Sequence, residues 1–183
     1  GYAEMVAMDL SLFDRQSLRK NFKSVPYYNP FVQIGADGQA DLSIELPDNL
    51  TQFAVRVKAA SKTRRFGFAA SRLAVSLPLV MQPTLPRFLR PQDRFEAIGI
   101  SRLVEGETSS GTVAVDVDGL TVEGDSSSKV TLELNTPVRT DFTLNVPEPE
   151  YDARGRLANL NASIRMAVER DIDQVGDSME MTL

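Results

Sequence analysis

Carboxylates stand at two places with a spacing that chemistry could use. Asp116-Val117-Asp118-Gly119 begins like a calcium loop, in which alternate residues supply oxygen ligands around a sharp glycine turn. The next alternate positions are Leu120 and Val122, which have no oxygen to offer, so a hairpin turn is the preferred reading. Glu148, Glu150 and Asp152 gather carboxylates in a Pro-containing loop, a set suited to acid/base work or a divalent metal. No partner base or further ligand accompanies them, and surface-loop charge is preferred; Arg154-Gly155-Arg156 behind them is a basic turn without a mechanism. Asn49-Leu50-Thr51 and Asn161-Ala162-Ser163 would be glycosylation acceptors in a glycosylating secretory pathway, although Asn49, after Pro47 and Asp48, suits a turn. The chain has no Cys, His or Trp, which removes disulfides, thiol nucleophiles, imidazole bases and the usual zinc sites together. There is no Gly-rich phosphate loop, nucleophile elbow or metalloprotease helix. No catalytic residue, cofactor site or metal site is expected.

The elements that would position any site follow from composition and period. With 183 residues, 42% hydrophobic and 25% charged, the chain has enough apolar material for a core. Its longest apolar stretch, around Leu73 to Met81, is interrupted by Ser76 and Pro78 and falls short of a membrane helix; no signal peptide is read at the N-terminus. Charge is uneven, with 12 Lys+Arg against 7 Asp+Glu in residues 1–91 and 8 against 18 in residues 92–183. The basic half is too scattered for a phosphate-binding surface, so no nucleic-acid partner is expected.

Apolar residues alternate with polar ones, the period of strands with one buried face. Ala40/Leu42/Ile44/Leu46, Phe53/Val55/Val57/Ala59, Val113/Val115/Val117, Val130/Leu132/Leu134, Phe142/Leu144/Val146, Leu160/Ala162/Ile164/Met166/Val168 and Met179/Met181/Leu183 are such rows. Ala36-Asp37-Gly38 predicts a hairpin turn between Phe31–Ile34 and Gln39–Leu46, and Asp118-Gly119 and Gly176-Asp177 predict further breaks. Strands at short intervals without intervening helices predict antiparallel β-sandwiches. Pro78, Pro83, Pro86 and Pro91 predict a stiff connector or edge segment, which sets the domains at 1–79 and 80–183. The second has about seven strands, enough for a complete sandwich; the first has four or five and need not close. Residues 9–22 fit either a short amphipathic helix, with Asp9 as its cap, or an irregular lead.

Tyr27-Tyr28-Asn29-Pro30, Asp37-Gly38, Leu46-Pro47-Asp48-Asn49-Leu50-Thr51, Arg65-Phe66-Gly67 and residues 85–95 (LPRFLRPQDRF) occur in this order. The series resembles the bacterial alpha-2-macroglobulins, densely from about Arg19 to Glu96 and more weakly beyond, where residues 176–183 resemble a strand that closes a macroglobulin domain. The resemblance implies an all-β chain of two consecutive macroglobulin (immunoglobulin/fibronectin-like) sandwiches, the C-terminal part of one domain followed by the whole of the next. It places a protease-susceptible bait segment shortly before this region and thioester-type domains after it. It implies a non-catalytic structural segment of a protease inhibitor that traps proteases after bait cleavage. Such a parent would be periplasmic or in the cell envelope, with a lipid anchor as one option. The partners would be the parent's neighbouring domains and, through the parent, target proteases, with no direct membrane insertion by this segment. The alternative is an adhesive or ligand-binding immunoglobulin-like module. Two sets of residues carry expectations. Pro86, Arg87, Phe88, Leu89 and Pro91 are expected to form a packed interdomain joint, and Arg15, Arg19 and Lys20 an exposed, protease-sensitive lead.

Overall fold

The computed structural model describes residues 12, 13, 15, 16, 18–61, 64–155, 157, 158 and 161–183. The expected Asp9 cap and Leu10 lie outside them. Among the described residues the strands are β1 (Leu18–Arg19), β2 (Gln52–Ala60), β3 (Phe66–Ala74), β4 (Leu79–Thr84), β5 (Arg94–Leu103), β6 (Ser109–Asp118), β7 (Thr121–Glu123), β8 (Ser127–Leu132), β9 (Pro137–Asn145), β10 (Ser163–Arg170) and β11 (Gly176–Thr182). Helical geometry is confined among them to Leu12, Phe13 and Arg15, so the all-β expectation holds. The chain forms two units, Asn21–Ser76 and the combination of Gly1–Lys20 with Leu77–Leu183.

The larger unit is a two-layer sandwich. One sheet runs β1-β11-β10-β6-β8 and the other β4-β5-β9-β7. Every pairing is antiparallel except β1 on β11, which is parallel. The alternating rows become the core because a pleated strand sends alternate side chains to opposite faces. Leu79, Met81, Ala97, Leu103, Val113, Val115, Leu132, Phe142, Leu144, Ile164, Met166 and Val168 meet between the layers.

The structure draws the boundary differently from the expected 79/80. Seven strands do lie in residues 92–183, but the sandwich also recruits β4 from the Pro-rich segment and β1 from the lead. Leu79 and Met81 are fully buried in its core, so this stretch is not a connector. It is the edge strand of the four-stranded sheet, the position in a sheet that tolerates Pro83 because one side of the strand needs no ladder donor. A second correction concerns Asp118-Gly119. β6 and β7 belong to different sheets, so the turn is a corner crossing between layers rather than a hairpin. Gly119 has φ 71°, and a Cβ there would stand 2.6 Å from the Asn161 carbonyl oxygen.

Among the described residues Asn21–Ser76 contains one strand hairpin, β2 on β3 from Gln52↔Ala74 to Ala60↔Phe66. The Asp37-Gly38 turn forms as expected: Gly38 has φ 83°, its N–H donates to Gly35 O (3.0 Å), and the Gly35 N–H donates to Gln39 O (2.8 Å). The flanking segments, expected as strands, do not form strands, and Phe31, Ile34, Leu42, Ile44 and Leu46 are exposed. Alternation specifies an apolar face but supplies no ladder partner, and β2 and β3 pair with each other alone among the described strands. Directly paired residues share a face, so Phe53, Val55, Val57 and Ala59 stand with Leu73, Ser71, Ala69 and Gly67 on one apolar side. Of these strand residues only Phe53 is even half-buried. Among its described residues the unit therefore has one two-stranded sheet with an exposed apolar face.

Candidate functional site

The densest set of buried polar contacts ties the lead to the sandwich. β1 adds to the edge of β11, with Leu18 opposite Ser178 and Arg19 opposite Met179. Arg19 is 8% exposed and Asp177 1%. The guanidinium grips the carboxylate in a fork, Nε donating to Oδ1 and Nη2 to Oδ2, both at 2.6 Å. Nη2 also donates to Met81 O at 2.8 Å, and the Met81 N–H donates to Asp177 Oδ2 at 2.7 Å. One clamp thus joins the lead, β4 and β11. A planar five-donor cation grips the carboxylate through two parallel N–H bonds and still has a donor for the carbonyl, a fork that lysine's single ammonium cannot form.

Ahead of the clamp, Leu12 and Phe13 cover Ala114 of β6 and Ala167 of β10 on the sheet face opposite the main core. This cover explains why β10 is buried on both faces over Met166–Arg170. The Arg165 guanidinium lies 5.7 Å from the Phe13 ring centre, within cation–π range. Arg15 donates to both oxygens of Glu169 (2.7 and 3.1 Å), and Gln16 Nε2 donates to Glu169 Oε2 (2.8 Å) and Gln174 O (3.0 Å). The bond to Glu169 raises the Arg15 pKa. Gly176 is required beneath Gln16, because a Cβ there would meet Val168 O at 2.2 Å and Gln16 Cδ at 2.7 Å.

These contacts revise the expected protease-sensitive lead. Arg15 and Lys20 are exposed, but Arg19 is buried and donates three hydrogen bonds. Sequence reasoning missed Asp177 because Gly176-Asp177 reads as a turn, whereas both residues lie inside β11.

The expected joint is revised too. Leu85 and Leu89 pack against the sandwich's own core, whereas Arg87 and Pro91 are exposed and Phe88 is 74% exposed. The segment around Pro86–Pro91 is stitched to the end of β9: Gln92 N–H donates to Val146 O (3.1 Å), Val146 N–H to Asp93 O (2.9 Å) and Arg90 N–H to Asp93 Oδ2 (2.7 Å). Gln92 takes φ 68° to make that turn. Burial of the leucines thus has its reason within one sandwich. Leu89 and Pro91 also line a cleft of about 200 Å³ with Leu120, Val146 and Leu157.

Two of the loop carboxylates make local hydrogen bonds. Glu148 accepts from Gln92 Nε2, and Asp152 Oδ1 accepts from the Arg154 N–H at 2.8 Å. Among the described residues no three acidic side chains gather as a metal site would require.

Comparison with known proteins follows the same lines. The chain is 32% identical over 122 residues to an alpha-2-macroglobulin homolog of Nostoc sp., a match covering 67% of this chain and 6% of that protein. It is 28% identical over 171 residues to an alpha-2-macroglobulin of Thermotoga maritima, covering 87% and 11% respectively. The chain therefore spans about a tenth or less of these relatives. Its fold is like that of trypsin-activated alpha-2-macroglobulin from Escherichia coli (TM-score 0.65, 16% identity, 90% of this chain and 11% of that one). It is also like a mutant Salmonella alpha-2-macroglobulin (TM-score 0.64, 14% identity, 82% and 9%). The profile of the Alpha-2-macroglobulin family matches residues 26–117, which is half of the chain and takes in parts of both units, so the chain belongs to that family.

Proposed function

We propose that the chain is a non-catalytic structural segment of a larger protease-trapping protein in the periplasm or cell envelope. The observation that carries this reading is the family match over residues 26–117 in a chain that spans 6% of one relative and 11% of another. In this reading the closed sandwich is a rigid body, and the open Asn21–Ser76 unit is part of a domain whose remaining strands the parent supplies. Cleavage in a bait segment upstream would relax the chain entering the lead, and packed sandwiches would pass the change on by moving as units. Its partners are neighbouring domains of the parent and, through the parent, the captured protease.

The test compares three proteins for residual protease activity on a protein substrate after incubation. The parent should inhibit, the purified chain alone should not, and the parent lacking residues 77–183 should lose inhibition. Undiminished inhibition by that truncated parent, or specific ligand capture by the isolated chain, would overturn the proposal in favour of an adhesive module.

A further inference from the structure

The lead is attached to its sandwich almost wholly by contacts that do not depend on the peptide bond after Lys20. Its apolar end is seated on Ala114 and Ala167. Its cations meet an acidic seat: Arg15 on Glu169 and Arg19 on Asp177, both carboxylates buried. Its backbone extends the β11 edge through Leu18 and Arg19. Strand addition to an edge, with side chains in fitted seats, is how extended peptides are recognised as separate molecules.

We propose that the seat formed by β10, β11, Ala114 and Met81 is a peptide-binding site for an arginine-bearing segment with a helical turn at Leu12, Phe13 and Arg15 and an extended end at Leu18–Arg19, and that the lead is its ligand. A chain cut just after Lys20 keeps Leu12, Phe13, Arg15, Gln16, Leu18 and Arg19 in place as a non-covalent partner. Before the cut, the tether holds the lead near the seat at an effective concentration in the millimolar range for a short link; afterwards the seat must retain it unaided. Bidentate charge-assisted bonds inside a desolvated seat slow dissociation far more than exposed pairs do. In the proposed parent, a cut upstream of Leu12 would leave the Leu12/Phe13 seat and the Arg15 and Arg19 bonds in place, so the anchor would survive bait cleavage. That consequence rests on the protease-trapping reading; the binding site itself does not.

The experiment uses the full chain with a short protease recognition sequence inserted between Lys20 and Asn21. After complete cleavage, gel filtration at micromolar concentration and mass spectrometry of the peak report whether the lead fragment stays with the rest. Hydrogen exchange of the β11 amides at and beside Ser178 and Met179, the residues that face Leu18 and Arg19, reports whether the β11 edge stays covered. Co-elution with unchanged exchange is expected. Arg19→Ala in the same cleaved protein should release the fragment at least tenfold faster, whereas the uncut Arg19→Ala chain should keep native exchange in β5 and β9 and so remain folded. A fragment that elutes separately at once, or one that Arg19→Ala retains as well as the unaltered chain does, overturns the proposal. Neither readout involves protease inhibition, so failure here is separable from failure of the proposed function.

Discussion

Cutting the Arg19–Asp177 clamp by substitution tests what the burial of this pair costs and contributes. Arg19→Met keeps most of the aliphatic volume but leaves the Asp177 carboxylate in a position 1% exposed, with the Met81 N–H as a remaining donor. Removing one partner of a buried pair is expected to cost about 3–5 kcal/mol, because the other charge stays desolvated and uncompensated. The double variant Arg19→Met/Asp177→Leu removes both charges together, so that penalty disappears, but it orphans the Met81 N–H, whose lost bond costs about 1–3 kcal/mol. The double variant should therefore be more stable than Arg19→Met despite carrying one substitution more. Urea unfolding followed by tryptophan-free probes, far-UV circular dichroism and the near-UV signal of the tyrosines, gives both values, and equal m-values secure the comparison. If Arg19→Met costs less than about 1 kcal/mol, the pair behaves as an exposed one, and the argument that the lead is clamped by a desolvated fork is refuted.

Phe13→Ala should destabilise the larger unit by about 3 kcal/mol, since a buried aromatic is removed from the Ala114/Ala167 seat and the cavity cannot fully collapse; the same urea titration checks it. Gly119→Ala, with φ 71° and a Cβ 2.6 Å from a backbone oxygen, should cost more than Gly99→Ala, whose Cβ would meet the movable ends of Met166 and Met81; thermal melts that reverse this order would contradict the crossing-corner geometry. The Ser110 hydroxyl, and after it Lys129 and Thr112, hold the Asp171 pKa below its ordinary value despite partial burial. The folded pKa being the lower one, the stabilisation is complete above about pH 4 and is lost as pH falls through the folded value. Asp171→Asn should therefore flatten the acid limb of stability against pH and leave the neutral limb's slope unchanged. Sedimentation velocity should show concentration-dependent association through the open hairpin, because exposed edges and apolar faces template pairing. Val57→Lys, on the face shared with Phe53 and Val55, should reduce that association, and a monomer at all concentrations before substitution would rule it out.

Much of the larger unit was determined by sequence alone. Period-two rows such as Val113/Val115 and Ile164/Met166/Val168 specify strands and their inward faces, because alternation is a local property of the pleat. The order of the motifs likewise specified the family, and the absence of Cys and His excluded whole chemistries before any fold was considered. Tertiary structure decided what depends on residues distant along the chain. Rows at Leu42/Ile44/Leu46 have the same local pattern as β10 but no partner strand among the described residues, so they form no ladder there. Leu79 and Met81 lie among prolines, yet the edge of the four-stranded sheet accepts them. Arg19 and Asp177 stand 158 residues apart, and nothing in either neighbourhood distinguishes them from surface charges. Their pairing exists because β1 meets β11 over β4, where the fold removes water and leaves each charge the other as its partner.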